Sequence, residues 1–372
     1  MSASSIPNLL SLRGSRGGRG RTRGGRAGPG GPGPDAAAAH NATIQATDTD
    51  AAVSRLSAVE LGYLDDPFAR LFVQQPPGPS SRRLPIINRG TYTRTTAIEN
   101  IVSHFLQTTQ GQKRQIISLG AGTDTRALRL FASTSPVITD LAYHELDFPA
   151  TVAQKLTTIR SSPQLQSILT ITPNLSPPPP PPSPNSSQTT TTYQTTSTTN
   201  PTNTLTLHGI DLRSLTATSP PLPSITSTLP TLLISECCLC YLSPQEAASV
   251  LSHFTTLIPA AGLGIILYEP IKPQDPFGRM MVSNLAARQI RMPTLEVYKQ
   301  PEDQAARLRD AGFEFVETLT VDAAWERWVD AEEKERVDAL EGLDEVEEWV
   351  LLAGHYIVAW AWKGGKFELP GT

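Results

Sequence analysis

Cysteine is scarce in this 372-residue chain: Cys237, Cys238 and Cys240 are all there is. An odd count within four positions builds no disulfide framework. No second Cys/His pair stands at a spacing that would complete a zinc site. The three thiols read as small reduced side chains in a buried strand, "LLISECCLCYL", and imply a reducing, cytosolic or nuclear setting. Long apolar runs are missing as well, so no membrane span is expected. No apolar signal-peptide core follows the N-terminus. Charge of one sign is not in excess. The formal net charge is −4, which argues against a broad nucleic-acid footprint.

Hydrophobic residues are a little few, at 39%, and prolines many, at 33. Both deviations gather in two segments. Residues 1–50 contain "RGSRGGRGRTRGGRAGPGGPGP", with six arginines and no acidic residue before Asp35. This is expected to be a disordered tail, whose arginines can bind RNA by charge and stacking. The second segment spans about 173–204, a proline run followed by Ser/Thr-rich chain. It is expected to be a low-complexity insertion in a surface loop, too poor in apolar surface to offset its ordering entropy. Residues 51–372 otherwise form one domain.

Outside those segments strands and helices alternate. "AIENIVSHFL" puts Ile98, Ile101, Val102, Phe105 and Leu106 on one helical face. "QIISLG", "AYHELDF", "LTLHGIDL", "TLLISECCLCYL" and "GLGIILYEP" read as successive strands. Ser243-Pro244-Gln245-Glu246 opens a helix with a cap, a first-turn proline and a reciprocal glutamate. "FEFVETLTV" and "HYIVAWAWKG" add two strands on either side of an acidic helical stretch over 324–350. The alternation predicts an α/β fold with a mainly parallel sheet covered on both faces, and an antiparallel strand at one edge.

Ligands of such sheets bind at the carboxyl ends of the strands. The first strand ends in Gly120-Ala121-Gly122, which lets a ligand approach the backbone closely. Thr125 stands where a dinucleotide fingerprint needs a third small residue, and Asp124 is unfavourable beside a pyrophosphate. Asp147 ends the second strand, placed to accept both hydroxyls of a ribose or to cap the next helix. Asp211 could receive an adenine amino group, with Leu212 donating its backbone N–H; a turn or cap is the other reading. Glu236, in an apolar strand, needs a partner. Arg94 in "INRGTYTRTTAI" faces the same cleft and can hold a carboxylate by two parallel bonds.

These stretches, with "SRLSAVELGYLDDPFARLFV" and "YEPIKPQDPFGRMMVSNL", resemble in this order the leucine carboxyl methyltransferase family, from about residue 50 to 365. The resemblance implies a class I S-adenosylmethionine-dependent methyltransferase fold: a seven-stranded, mainly parallel sheet with helices on both faces, plus a helical cap. It implies cofactor contacts from Arg55, Arg94, Gly120, Asp147, Asp211, Leu212 and Glu236. The family usually carries lysine where Arg55 stands, and that contact is the least secure. It also implies a partner, the C-terminal tail of a type 2A protein phosphatase catalytic subunit, and a monomer is expected. Arg279, after the fifth strand, is equally a partner for the substrate carboxylate or a solvated surface charge.

A C-terminal carboxyl group has a pKa of about 3.5 and is already ionised at neutral pH. It needs no general base, so no catalytic side chain is nominated. The competing readings are a related methyltransferase acting on a modified tRNA base or a small molecule, and an RNA-binding protein led by the RGG tail.

Overall fold

The computed structural model describes residues 34–73, 82–171, 190–259, 262–364 and 367–371. The arginine-rich run and residues 173–189 of the expected insertion lie outside them. The described chain opens with α1 (Pro34–Glu60) and α2 (Pro85–Thr108). Strand β1 (Arg114–Leu119), α3 (Arg126–Ala132), β2 (Leu141–Asp147), α4 (Pro149–Ser161) and the short α5 (Pro163–Gln166) follow. Next come β3 (Leu169–Ile171), β4 (Thr191–Ser197), β5 (Thr204–Gly209) and β6 (Thr231–Glu236). Helix α6 (Pro244–Leu257), β7 (Leu263–Pro270), α7 (Pro276–Ala287), α8 (Pro301–Asp310) and β8 (Phe315–Thr320) continue the alternation. Helices α9 (Val321–Trp328), α10 (Ala331–Leu340) and α11 (Val346–Ala353) lead to β9 (Tyr356–Lys363).

All nine strands join one sheet in the order β3-β4-β5-β2-β1-β6-β7-β9-β8. Strands β5, β2, β1, β6 and β7 run parallel, and β9 is antiparallel to both neighbours. The antiparallel strand is therefore one place in from the edge, not at it. Seven strands match the expectation; β3 and β4 are two more, added antiparallel beyond β5. Part of the expected insertion thus folds. In β4, Thr192, Thr195 and Ser197 are buried, and β-branched threonine suits a pleated half-covered surface. Asn203 is buried too, with its side chain bonded to Leu141 N and Ile138 O.

Alternation along each strand splits the core into two layers. Ile116, Leu232 and Ile234 belong to one cluster, with α2, α4, α9 and α11; Ile117 and Leu233 belong to the other, with α6 and α8. The predicted helix start at Ser243 is present as a full capping box. The helical cap is built where α2 meets α1 and α9–α11. Arg89 lies over the Trp325 ring at 4.7 Å and pairs with Asp338. Asn88 donates to Glu341 at 2.8 Å, and Arg336 donates to the Gly62 carbonyl at 2.7 Å. No described helix is long and apolar enough to cross a membrane.

Two expectations change at the ends of elements. The tail does not run to residue 50: α1 begins at Pro34, and Ile44, Gln45, Thr47, Asp48, Ala51, Ala52 and Arg55 on it line the site described next. The cysteines do not lie in a strand: β6 stops at Glu236, and a 3-10 turn follows at Leu239–Tyr241.

Candidate active site

The sheet reverses its direction of growth between β1 and β6, which places a crevice over their carboxyl ends. An open cleft lies there, lined by residues of α1, α2 and the strand ends. Arg55, Arg94, Gly120, Asp147, Asp211, Leu212 and Glu236 all line it. Residues drawn from α1, α2 and four strand ends are thus brought together by topology.

Gly120 and Gly122 both take left-handed backbone, φ 62° and 49°. A Cβ on Gly120 would come within 2.6 Å of the Cys238 sulfur, and one on Gly122 within 2.3 Å of an Asp48 oxygen. Both positions therefore need glycine for conformation and for space. Asp147 holds this loop. Its Oδ2 accepts from Gly122 N–H at 2.8 Å, and its Oδ1 from Phe148 N–H at 2.6 Å. Asp147 is not the cap of α4, since Phe148 occupies that position. Burial pushes its carboxyl up to about 6, against those two donors.

Glu236 finds the partner that its strand demands. Arg94 pairs with it at 2.8 Å and Arg126 donates to it at 3.2 Å. Arg94 lies well inside α2, not at its start, and its guanidinium sits 5.3 Å from the Tyr268 ring centre. Arg126 also pairs with Asp124 at 2.5 Å. Burial pushes the Asp124 carboxyl up, but Arg126, Arg55, Lys155 and Arg129 outweigh it and hold it at about 2. The floor of the cleft is a lattice of fixed opposite charges.

Asp211 is a cap residue that also faces the cleft. It caps the 3-10 turn at Leu212–Ser214 by accepting from Arg213 N–H at 3.0 Å. Arg55 lines the cleft too, yet its Nε is already committed to Asp66 at 2.5 Å. Arg279 is not brought to the site: it is exposed and donates to the Gln274 carbonyl. Arg89, by contrast, is buried in the cap.

The sequence reasoning missed Asp48. Its Oδ1 accepts from the Thr123 backbone N–H at 2.8 Å and from the Thr123 hydroxyl at 2.7 Å. Burial raises its carboxyl above the ordinary value despite those bonds. Gln45, Thr47 and Tyr241 line the same cleft. No described histidine lines it. His144 and His208 stack in the sheet at 5.4 Å, and burial pushes them down to about 3 and about 4, so both are neutral.

The residues present suit S-adenosylmethionine as a ligand. Arg94 and Glu236 offer opposite charges to its amino-acid end. Asp147 retains acceptor capacity beyond its two backbone donors. The glycine loop has no side chain in the way.

The strand order around β1, the antiparallel β9 set between β7 and β8, and the cleft over the switch point define a class I S-adenosylmethionine-dependent methyltransferase fold. A family model described as leucine carboxyl methyltransferase matches residues 42–255. The chain belongs to that family. It is 49% identical to the "Leucine carboxyl methyltransferase 1" of Aspergillus fumigatus, over 99% of this chain and 96% of that one. The protein of the same name from Emericella nidulans is 46% identical, over 100% and 97%. That of Schizosaccharomyces pombe is 38% identical, over 88% and 98%. The match to residues 42–255 starts inside α1, in agreement with the ordered position of that helix.

Proposed function

We propose that this methyltransferase transfers the methyl group of S-adenosylmethionine to the C-terminal leucine α-carboxylate of a type 2A protein phosphatase catalytic subunit, giving a leucine methyl ester. What carries the reading is the convergence of all seven expected contact positions on one cleft in a chain of this family. Arg94 would hold the cofactor's carboxylate, Asp147 its ribose, and Asp211 with the Leu212 N–H its adenine. Arg55 is the weakest contact, because Asp66 competes for it.

The cofactor, when bound, supplies an electrophilic methyl group on a sulfonium. The protein's part is to bind, align and exclude water. The attacking carboxylate is already ionised, so no proton need be removed, and no described histidine lines the cleft to remove one. Two oppositely charged reactants held in line in a drier site lose little on meeting; alignment alone can contribute about 7–11 kcal/mol. Arg94, Arg126 and Glu236 keep fixed positions through their mutual pairing, so they need not reorganise during the step. The same reading takes the protein as a monomer acting in the cytosol or nucleus.

The test uses labelled S-adenosylmethionine and the phosphatase catalytic subunit, intact or lacking its last leucine. Label should enter only the intact subunit, as a base-labile ester. Equal labelling of both would refute the reading.

A further inference from the structure

Helix α4 carries a lysine where its spacing calls for an apolar residue. Val152, Leu156 and Ile159 mark the face that α4 buries, and Lys155 falls on that face, buried with them. An ammonium taken out of water needs partners. Its Nζ donates to the Asp124 carbonyl at 2.6 Å and lies 2.6 Å from Glu145 Oε2, with the Phe72 ring centre at 5.7 Å. Glu145, on β2, is buried too, and burial pushes its carboxyl up to about 7 against the pull of Lys155. At neutral pH Glu145 is therefore ionised only in part, and an ion pair alone does not account for the lysine. The contact with the loop does. Asp124 closes the turn after the glycines, with its N–H on the Ala121 carbonyl at 2.8 Å. Three successive peptides of that turn are then held from three separate elements. Asp147 at the end of β2 accepts from Gly122 N–H, Asp48 of α1 from Thr123 N–H, and Lys155 of α4 donates to the Asp124 carbonyl. Lys155 is not among the residues that line the cleft, so it reaches a ligand there only through this backbone.

We propose that Lys155 is a positioning residue for cofactor binding, and that its hydrogen bond to the Asp124 carbonyl fixes the glycine turn in its binding shape. A charge-assisted bond in a dry interior is strong and directional, which suits it to hold one peptide plane. Without it the turn keeps its bonds to Asp147 and Asp48 but loses its anchor on the α4 side. Lys155 acts on the backbone and not on the ligand's charge. It therefore favours S-adenosylmethionine and its neutralised product, S-adenosylhomocysteine, by the same factor. The effect on affinity rests on the cofactor reading of the cleft; the holding of the turn does not.

The full chain is compared as wild type, Lys155→Met, Glu145→Gln and the double variant. Calorimetry gives the affinity for both ligands, thermal melting the stability, and amide hydrogen exchange the state of residues 121–125. Lys155→Met should bind both ligands about tenfold more weakly and exchange faster over 121–125. It also leaves Glu145 buried without its cation, so its melting temperature should fall. Adding Glu145→Gln removes that buried carboxylate and should restore part of the stability while affinity stays low. A merely structural role would bring both back together. Glu145→Gln alone keeps the bond to the turn and should bind within about twofold of wild type. Four results would each overturn the proposal: Lys155→Met binding like wild type, Glu145→Gln weakening binding as much as Lys155→Met, a double variant that regains affinity with stability, or a loss confined to S-adenosylmethionine. Wild type that binds neither ligand would instead refute the cofactor reading, while exchange over 121–125 still decides whether Lys155 holds the turn.

Discussion

Asp147 does two jobs with one carboxylate: it fastens the glycine loop and faces the cleft. Burial holds its pKa at about 6, so it is mostly ionised at neutral pH and gains a proton under mildly acidic conditions. S-adenosylmethionine affinity is therefore expected to fall as pH drops through about 6, and Asp147→Asn should flatten that profile. Calorimetry at several pH values checks both. The stability of the free protein should move the other way. A carboxyl whose folded pKa is raised binds its proton more tightly when folded, so this group adds stability as pH falls from about 6 to about 4. Asp147→Ala removes a charge-assisted hydrogen bond, a loss of about 1.5–3 kcal/mol of binding. Unchanged affinity would contradict the ribose assignment. Asp147 and Glu236 were legible in the sequence because an acid at the end of an apolar strand is conspicuous. Arg126 was less so, for its role appears only when Asp124 and Glu236 are seen to share it.

Among the elements, α1 and β4 departed furthest from the sequence reading. Helix α1 is rich in small and polar residues, with no clear apolar stripe to mark a helical face. Its place is set instead by contacts far along the chain. Asp48 bonds to Thr123, and Asp50 pairs with Arg83 and Arg288. Asp48→Ala is expected to speed amide hydrogen exchange across residues 41–58 and to leave β1 and β6 protected. Equal exchange in wild type and variant would show that Asp48 does not fasten the helix. Strand β4 was obscured by composition: repeated threonine reads as low complexity, although threonine is a good strand former. Thr195 lies between β3 and β5 and is fully buried. Thr195→Pro should destabilise the fold by on the order of 1–3 kcal/mol, read as a lower melting temperature. A variant as stable as the parent would mean that β4 adds little to the sheet.

For the molecule as a whole, the alternation of strands and helices carried most of the architecture. Periodicity located the parallel strands and the helix after Ser243, because each buries a face with its own spacing. It did not determine where β9 inserts, since strand order depends on long-range pairing that local pattern does not encode. The helical cap is likewise a product of distant pairs, Arg89 with Asp338 and Asn88 with Glu341. The central claim is methyl transfer to a terminal leucine carboxylate, with the chain's own residues serving to bind and align. Its most direct measurement is label transfer from S-adenosylmethionine to the intact phosphatase catalytic subunit and to one lacking the final leucine. The account predicts base-labile label on the intact subunit alone. Label on both, or on neither while the cofactor is bound, would contradict it.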